Sequence, residues 1–351
     1  MRALTVAPGQ ANSARLEDVP EPSPEKGTTL VRTLAVGVCG TDIEIVAGLY
    51  GRGPPGRERL ILGHESLGRV EAAPPGSGLS PGDLVVGIVR HPDPVPCSSC
   101  AVGEWDLCRN GLYTEHGIKE RDGFCAERFR IEPAFAVRVD PALGPLGVLL
   151  EPACVLAKAW DHLERIGHRA HWEPRRVLVT GAGPIGLLAA LMGVERGLEV
   201  HVYDRLTTGP KPVLVRDLGG VYHGGSLEDV NLGSDEPDIV IECTGASPVI
   251  FGVLGRTAPG GVVCLAGISS GEHKLVVDVA QLNRTIVLEN DAIFGSVNAN
   301  RRHYETAAGA LAKADPQWLR RLISRRVPLE RWAEALTRQP DDVKVVIDIS
   351  N

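Results

Sequence analysis

No apolar run in this 351-residue chain is long enough to cross a bilayer, and no low-complexity or compositionally disordered tract interrupts it. Basic charge is in deficit: 37 Lys and Arg stand against 44 Asp and Glu, a net charge of −7. That leaves no electrostatic case for nucleic acid or an anionic membrane surface as a partner. Met1–Val6 runs into polar, proline-rich sequence without a signal-peptide core, so a cytoplasmic setting is expected. Eight cysteines over this length do not suggest a disulfide scaffold. In a reducing compartment, clustered cysteines read as metal ligands. Hydrophobic residues, at 43%, suffice for ordinary cores, and the length suggests two domains.

What is present centres on residues 176–205. Arg176-Val177-Leu178-Val179-Thr180 is an apolar, β-branched strand, and Gly181-Ala182-Gly183-Pro184-Ile185-Gly186 follows as G-x-G-x-x-G. Leu187–Glu195 favours helix, and Val200–Tyr203 is a second strand ending at Asp204. In this strand–turn–helix–strand setting the glycines predict a dinucleotide site. Gly181 permits the turn, Gly183 lets backbone approach a pyrophosphate, and Gly186 lets helix pack on strand. The first N–H groups of the helix face the anion, and Pro184 and Ile185 lie at that turn as candidate cofactor contacts. Asp204, 18 residues past Gly186, can accept both ribose hydroxyls and repel a 2′-phosphate, which favours NAD. Arg205 and Lys211 follow it and keep NADP possible.

Before that unit, residues 1 to about 150 alternate short strands, such as Leu30–Val38, Ser66–Ala72 and Leu84–Val89, with Pro/Gly turns, the pattern of an irregular β-barrel. From about Pro152 the texture changes. A helix is expected over Val155–Ile166, then strands at Val177–Val179, Val200–Tyr203, Val221–Tyr222, Ile239–Glu242 and Val262–Ala266. Such alternation implies a doubly wound parallel sheet, so the class is α/β. Ligands bind beyond the carboxyl ends of such strands, which makes Thr244, Leu265, Ala266 and Gly267 candidate cofactor contacts. Amphipathic helices are expected at His303–Ala312, Trp318–Ile323 and Leu329–Thr337. The last strand, Val343–Ile349, could return to either domain.

Cys39 follows a strand in Gly37-Val38-Cys39-Gly40-Thr41-Asp42, His64 and Glu65 lie in Gly63-His64-Glu65, and Glu151 precedes Pro152. Thiolate, imidazole and carboxylate suit a catalytic zinc, which needs about three of them and an open position. Taken singly, each could equally be a buried or capping residue. A second group is Cys97, Cys100 and Cys108.

In these blocks, together with Pro81-Gly82-Asp83 and the glycine motif, the sequence resembles the zinc-dependent medium-chain dehydrogenase/reductase family over essentially its whole length. Gly63–Val70, Tyr113–Ile118 and Gly295–Asn298 look like the glucose 1-dehydrogenase branch. The resemblance implies a Rossmann domain (156–294) inserted in a GroES-like β-barrel catalytic domain formed by both chain ends (1–155 and 295–351). It implies a catalytic zinc on Cys39, His64 and either Glu65 or Glu151, with Thr41 relaying the substrate proton. Ser296, Val297 and Asn298 match further cofactor contacts, and Glu115, Glu151 and Asn298 match contacts to sugar hydroxyls. An Asn capping the helix from Arg301 is the rival role for Asn298 or Asn300. His116 stands where the branch more often has Arg.

Cys97, Cys100 and Cys108 match three of the four cysteines of the family's structural-zinc lobe. The first ligand would fall at Pro94, which cannot ligate, so Asp93 or His91 is the expected substitute. The function expected is hydride transfer between a sugar hydroxyl, C1 of glucose or a related aldose, and NAD or NADP. A homo-oligomer, dimer or tetramer, is expected. The alternatives are a polyol, amino-alcohol or biosynthetic alcohol dehydrogenase, and, in another class, a non-catalytic nucleotide-binding redox sensor.

Overall fold

The computed structural model describes residues 1–232, 236–271 and 274–349. Two compact units result: Met1–Cys154 with Asn298–Asn351, and Val155–Val297.

The first unit is built around the strand Thr29–Val38. Val31, Thr33 and Ala35 point inward while Arg32 is exposed, the alternation a half-buried strand requires. It pairs antiparallel with Glu65–Ala72 on one side and with Lys344–Asp348 on the other. The last strand therefore returns to this unit, where it also runs parallel to Ile323–Pro328. Leu4, Val31, Val36, Leu60, Phe124, Phe129, Val345 and Ile347 share one core drawn from both chain ends.

The second unit is a six-stranded parallel sheet. Its order runs Val221–Gly224, Glu199–Asp204, Arg176–Thr180, Ile239–Glu242, Val262–Leu265, Ala292–Gly295. The order reverses between Arg176–Thr180 and Ile239–Glu242, the switch point at which such sheets bind ligands. Leu178, Val240 and Val263 are fully or almost fully buried, as expected for strands covered on both faces. The expected helix is extended at both ends and runs Leu150–Gly167. Contrary to the sequence reading, one helical stretch among the described residues, Pro141–Gly167, is apolar and long enough to span a bilayer, but it is mostly buried and broken at Gly144. The strand Ile323–Pro328 and the helix Val279–Glu289 are additions to the sequence reading, and Leu329–Thr337 splits into a 3-10 turn and a short helix.

Candidate active site

Strand register assembles the first site. Gly37 lies opposite Glu65 and Val38 opposite Val345, so Cys39, Glu65 and Lys344 meet at one end of the sheet. Cys39 opens the helix Gly40–Val46, a segment of poor intrinsic propensity held by Asp42, whose Oδ2 accepts the Cys39 N–H at 2.9 Å. The other Asp42 oxygen lies 3.3 Å from His64 Nδ1, an ionic contact that leaves Nε2 as the ring nitrogen free to face a metal. The donor atoms of Cys39, His64 and Glu65 all lie within 4.8 Å of one another.

This group fits a zinc ion. It offers a thiol, an imidazole and a carboxylate, the donor types zinc takes. Burial disfavours a charged His64, yet Asp42 and Cys39 outweigh that and lift the imidazole well above its usual range. Glu65 is ion-paired with Lys344, and both side chains are 2% exposed. The Lys344 ammonium also donates to Val38 O at 3.0 Å. Glu151, in the first turn of its helix, is buried nearby but stands outside the three-ligand group. Burial, opposed by His64 and assisted by Glu65, pushes its carboxyl up to about 7. Thr41 Oγ1 lies 3.9 Å from Cys39 Sγ.

Glu115 and Asn298 come together, with Asn298 Nδ2 donating to Glu115 Oε1 at 2.8 Å. Arg90 donates to the same carboxylate at 3.0 Å. The helix Arg301–Lys313 is capped by Asn300, not by Asn298. Asn298 instead adopts a left-handed backbone, φ 62°, that fixes its amide toward Glu115. His116 is buried, its Nδ1 paired with Asp122 O at 2.6 Å. Burial, then Arg121, lowers it to about 3, so it is neutral.

In the thiol lobe, the Cys97, Cys100 and Cys108 sulfurs lie within 4.8 Å of one another, and the Arg109 N–H donates to Cys97 Sγ at 3.3 Å. Neither expected fourth ligand joins them. His91 is stacked on Phe135 at 3.8 Å between ring centroids. Both Asp93 oxygens are already taken, one by Val95 N–H at 2.9 Å and the other by the Asn110 amide. Elsewhere, burial raises the thiols of Cys125, Cys243 and Cys264.

The second unit presents the dinucleotide crevice. Gly181 has φ 90°, and a Cβ on Gly186 would overlap the Gly181 carbonyl, so helix and turn touch through backbone. A Cβ on Gly183 would project into open space, where a diphosphate could lie against the N-terminus of Pro184–Glu195. Beside it the buried Glu242 accepts from Thr244 N at 2.7 Å and Gly245 N at 3.1 Å, shaping the turn that carries Thr244. Leu265, Ala266 and Gly267 are half-buried, and Gly267 packs on Gly245. Ser296 is buried with its hydroxyl unpartnered, whereas Val297 is 47% exposed.

Asp204 differs from expectation. Its oxygens accept from Ala182 N at 2.9 Å and Leu206 N at 3.1 Å, and Lys211 donates to it at 2.8 Å. Lys211 is therefore tied to the carboxylate, while Arg205 is exposed. The sequence reading also missed Asp42, Arg90, Lys344 and Glu242. Only Asp42, three residues from Cys39 at capping spacing, carried a local signal.

Residues 25–141 match the alcohol dehydrogenase GroES-like domain, and residues 144–349 match the glucose dehydrogenase C-terminus. The chain belongs to the medium-chain dehydrogenase/reductase family. Within the family it falls in the glucose dehydrogenase branch, with a Rossmann sheet inserted in a GroES-like fold. It is 42% identical to the glucose 1-dehydrogenase of Thermoproteus tenax over 361 residues, covering 99% of each. It is 40% identical to glucose 1-dehydrogenase 2 of Vulcanisaeta moutnovskia, again over 99% of each. The crystallised glucose dehydrogenase of Haloferax mediterranei, in complex with NADP, zinc and gluconolactone, superposes with a TM-score of 0.91 over the full length of both chains at 31% identity. Zinc and a nicotinamide cofactor are this family's chemistry.

Proposed function

We propose that the chain is a zinc-dependent dehydrogenase that oxidises the C1 hydroxyl of glucose or a related aldose and passes hydride to NAD or NADP. The observation that carries this reading is the convergence of Cys39, His64 and Glu65 in a chain so similar to glucose 1-dehydrogenases. Those three residues would hold the catalytic zinc, with Glu151 as the acid that can exchange with a ligand or face the substrate. Bound there, zinc supplies Lewis acidity, and nicotinamide supplies the redox chemistry.

The chain's own residues do the rest. Glu115 and Asn298 bind sugar hydroxyls, a carboxylate and an amide being good partners for vicinal O–H groups. Thr41, beside Cys39, carries the hydroxyl proton away. Gly181–Gly186 and the turns at Thr244, Leu265–Gly267 and Ser296–Asn298 cradle the dinucleotide, with Asp204 and Arg205 at its adenosine ribose. We take the two compact units as the catalytic and nucleotide domains. Cys97, Cys100 and Cys108 hold a second, structural zinc in this reading. Cysteines without disulfide pairing among the described residues fit a reducing compartment.

Ala292–Gly295 is the last strand of its sheet, and Ile293, Val279, Val287 and Leu288 near it in the chain are 38–68% exposed. That apolar edge supports a homo-oligomer, a dimer or a tetramer built of dimers. A panel of aldoses, polyols and amino alcohols tests the substrate class, with Cys39→Ser as control. That variant should lose turnover and one zinc while still binding nucleotide. No turnover on any of the panel would favour a nucleotide-binding sensor instead.

A further inference from the structure

The thiol lobe has three sulfurs and no cysteine for a fourth position, yet a closed structural zinc site takes four ligands. Pro94 offers no donor atom, His91 is held by its stack on Phe135, and both Asp93 oxygens are hydrogen-bonded elsewhere. One of them is bonded to the side-chain nitrogen of Asn110. That bond sets the direction of the Asn110 amide. Its nitrogen faces Asp93, so its oxygen faces the opposite way, 2.9 Å from Cys108 Sγ. Leu112 N–H occupies one lone pair of that oxygen at 3.2 Å. The other lone pair is on the side of the sulfurs. The Arg109 N–H bond to Cys97 Sγ folds this same segment over the cluster.

We propose that Asn110 Oδ1 is the fourth ligand of the structural zinc, with Asp93 as the residue that positions it. This rests on the reading that the lobe binds zinc at all. Amide oxygen is a weaker donor than thiolate, but it carries no charge. Three thiolates and an amide leave the filled site at −1, and a fourth thiolate would leave it at −2. The geometry also suits a coordinated state. The Cys108 thiol donates to Asn110 Oδ1, and a zinc ion that displaced the thiol proton would find both atoms already facing each other. Ligands at zinc–sulfur and zinc–oxygen bond lengths on tetrahedral positions sit roughly 3.6 Å apart, a small outward shift from the present spacing. Asp93 then does what carboxylates behind metal ligands do, holding the donor in its orientation. The residue expected to bind the metal directly would act one bond further out.

The test uses the full chain carrying Cys39→Ser, so that the lobe is the remaining zinc site, with zinc retention measured against a graded chelator. The parent should hold close to one zinc. Asn110→Ala should lose about 10- to 100-fold in zinc affinity, and Asp93→Asn a comparable amount, because it turns the amide away from the sulfurs. The double variant Asp93→Asn/Asn110→Asp exchanges the two groups and should recover affinity toward the parent. Zinc-edge absorption should show three sulfurs and one oxygen in the parent. Undiminished affinity in Asn110→Ala, or no recovery in the exchanged pair, overturns the assignment of Asn110 while leaving the zinc lobe standing. No zinc in the Cys39→Ser chain overturns the filled lobe, and Asn110 as ligand with it.

Discussion

Asn298 donates its side-chain amide to Glu115 at 2.8 Å, joining positions 183 residues apart in the sequence. The carboxylate also receives Arg90, so it is fixed from two sides and keeps Oε2 for another donor. Glu115→Gln should lower kcat/KM for aldoses by about 10- to 100-fold, the worth of a charged hydrogen bond or two. A simple secondary alcohol should be little affected. Equal losses on both substrates, measured by steady-state kinetics, would make the pair structural.

The Asp204–Lys211 pair bears on cofactor choice. A lone carboxylate would repel a 2′-phosphate, but this one has a cation at 2.8 Å. Preference between NAD and NADP should therefore be modest, within about tenfold, or 1.4 kcal/mol. Lys211→Met should move the kcat/KM ratio toward NAD, and Asp204→Ser should move it toward NADP. If neither variant shifts the ratio, selection lies elsewhere in the crevice.

Lys344 and Glu65 form a fully buried ion pair. Removing one partner strands the other charge, at about 3–5 kcal/mol. Lys344→Met should lower the melting temperature of the metal-free chain sharply, and Lys344→Arg should lower it less. Zinc should offset part of the Lys344→Met loss, because it gives Glu65 another positive partner. An unchanged melting temperature in Lys344→Met would remove the pair from any structural role.

His116 predicts acid lability. Burial, with Arg121 adding, depresses its folded value to about 3 from an ordinary 6.5. Between those values the unfolded chain binds a proton that the folded chain does not, so stability present above pH 6.5 drains away as pH falls. The loss from this one group is about 2 kcal/mol by pH 5. His116→Gln should flatten that part of the stability–pH curve in urea titrations. Parallel curves for variant and parent would place the lability elsewhere.

Local signals in the sequence were read correctly where one short segment carried the whole answer. The strand Arg176–Thr180 and its tight glycine turn are such a segment, whereas the partners of Asp204 at Ala182, Leu206 and Lys211 were not legible. Asn298 and Asn300 could not be separated that way, because both precede Arg301 and either could cap; the left-handed turn at Asn298 decided it. Lys344 was illegible for a different reason. Its role depends on a strand register with Val38, 306 residues away. Asp93 had suitable chemistry and position, but its oxygens had nearer partners in the turn to Val95 and in Asn110.

The strand Lys344–Asp348 lies between Thr29–Val38 and Ile323–Pro328, inside the sheet of the first unit rather than at its edge. It is also synthesised after everything it pairs with. The second unit, Val155–Val297, is one continuous stretch of chain and can close during translation, whereas the first must wait with a gap in its middle. Until that strand arrives, Glu65 lacks its buried counter-ion and one side of Ala35–Val38 stays unpaired. Completion of the first unit is thus timed by the arrival of Lys344–Asp348, and until then the partly made unit carries an unpaired strand edge.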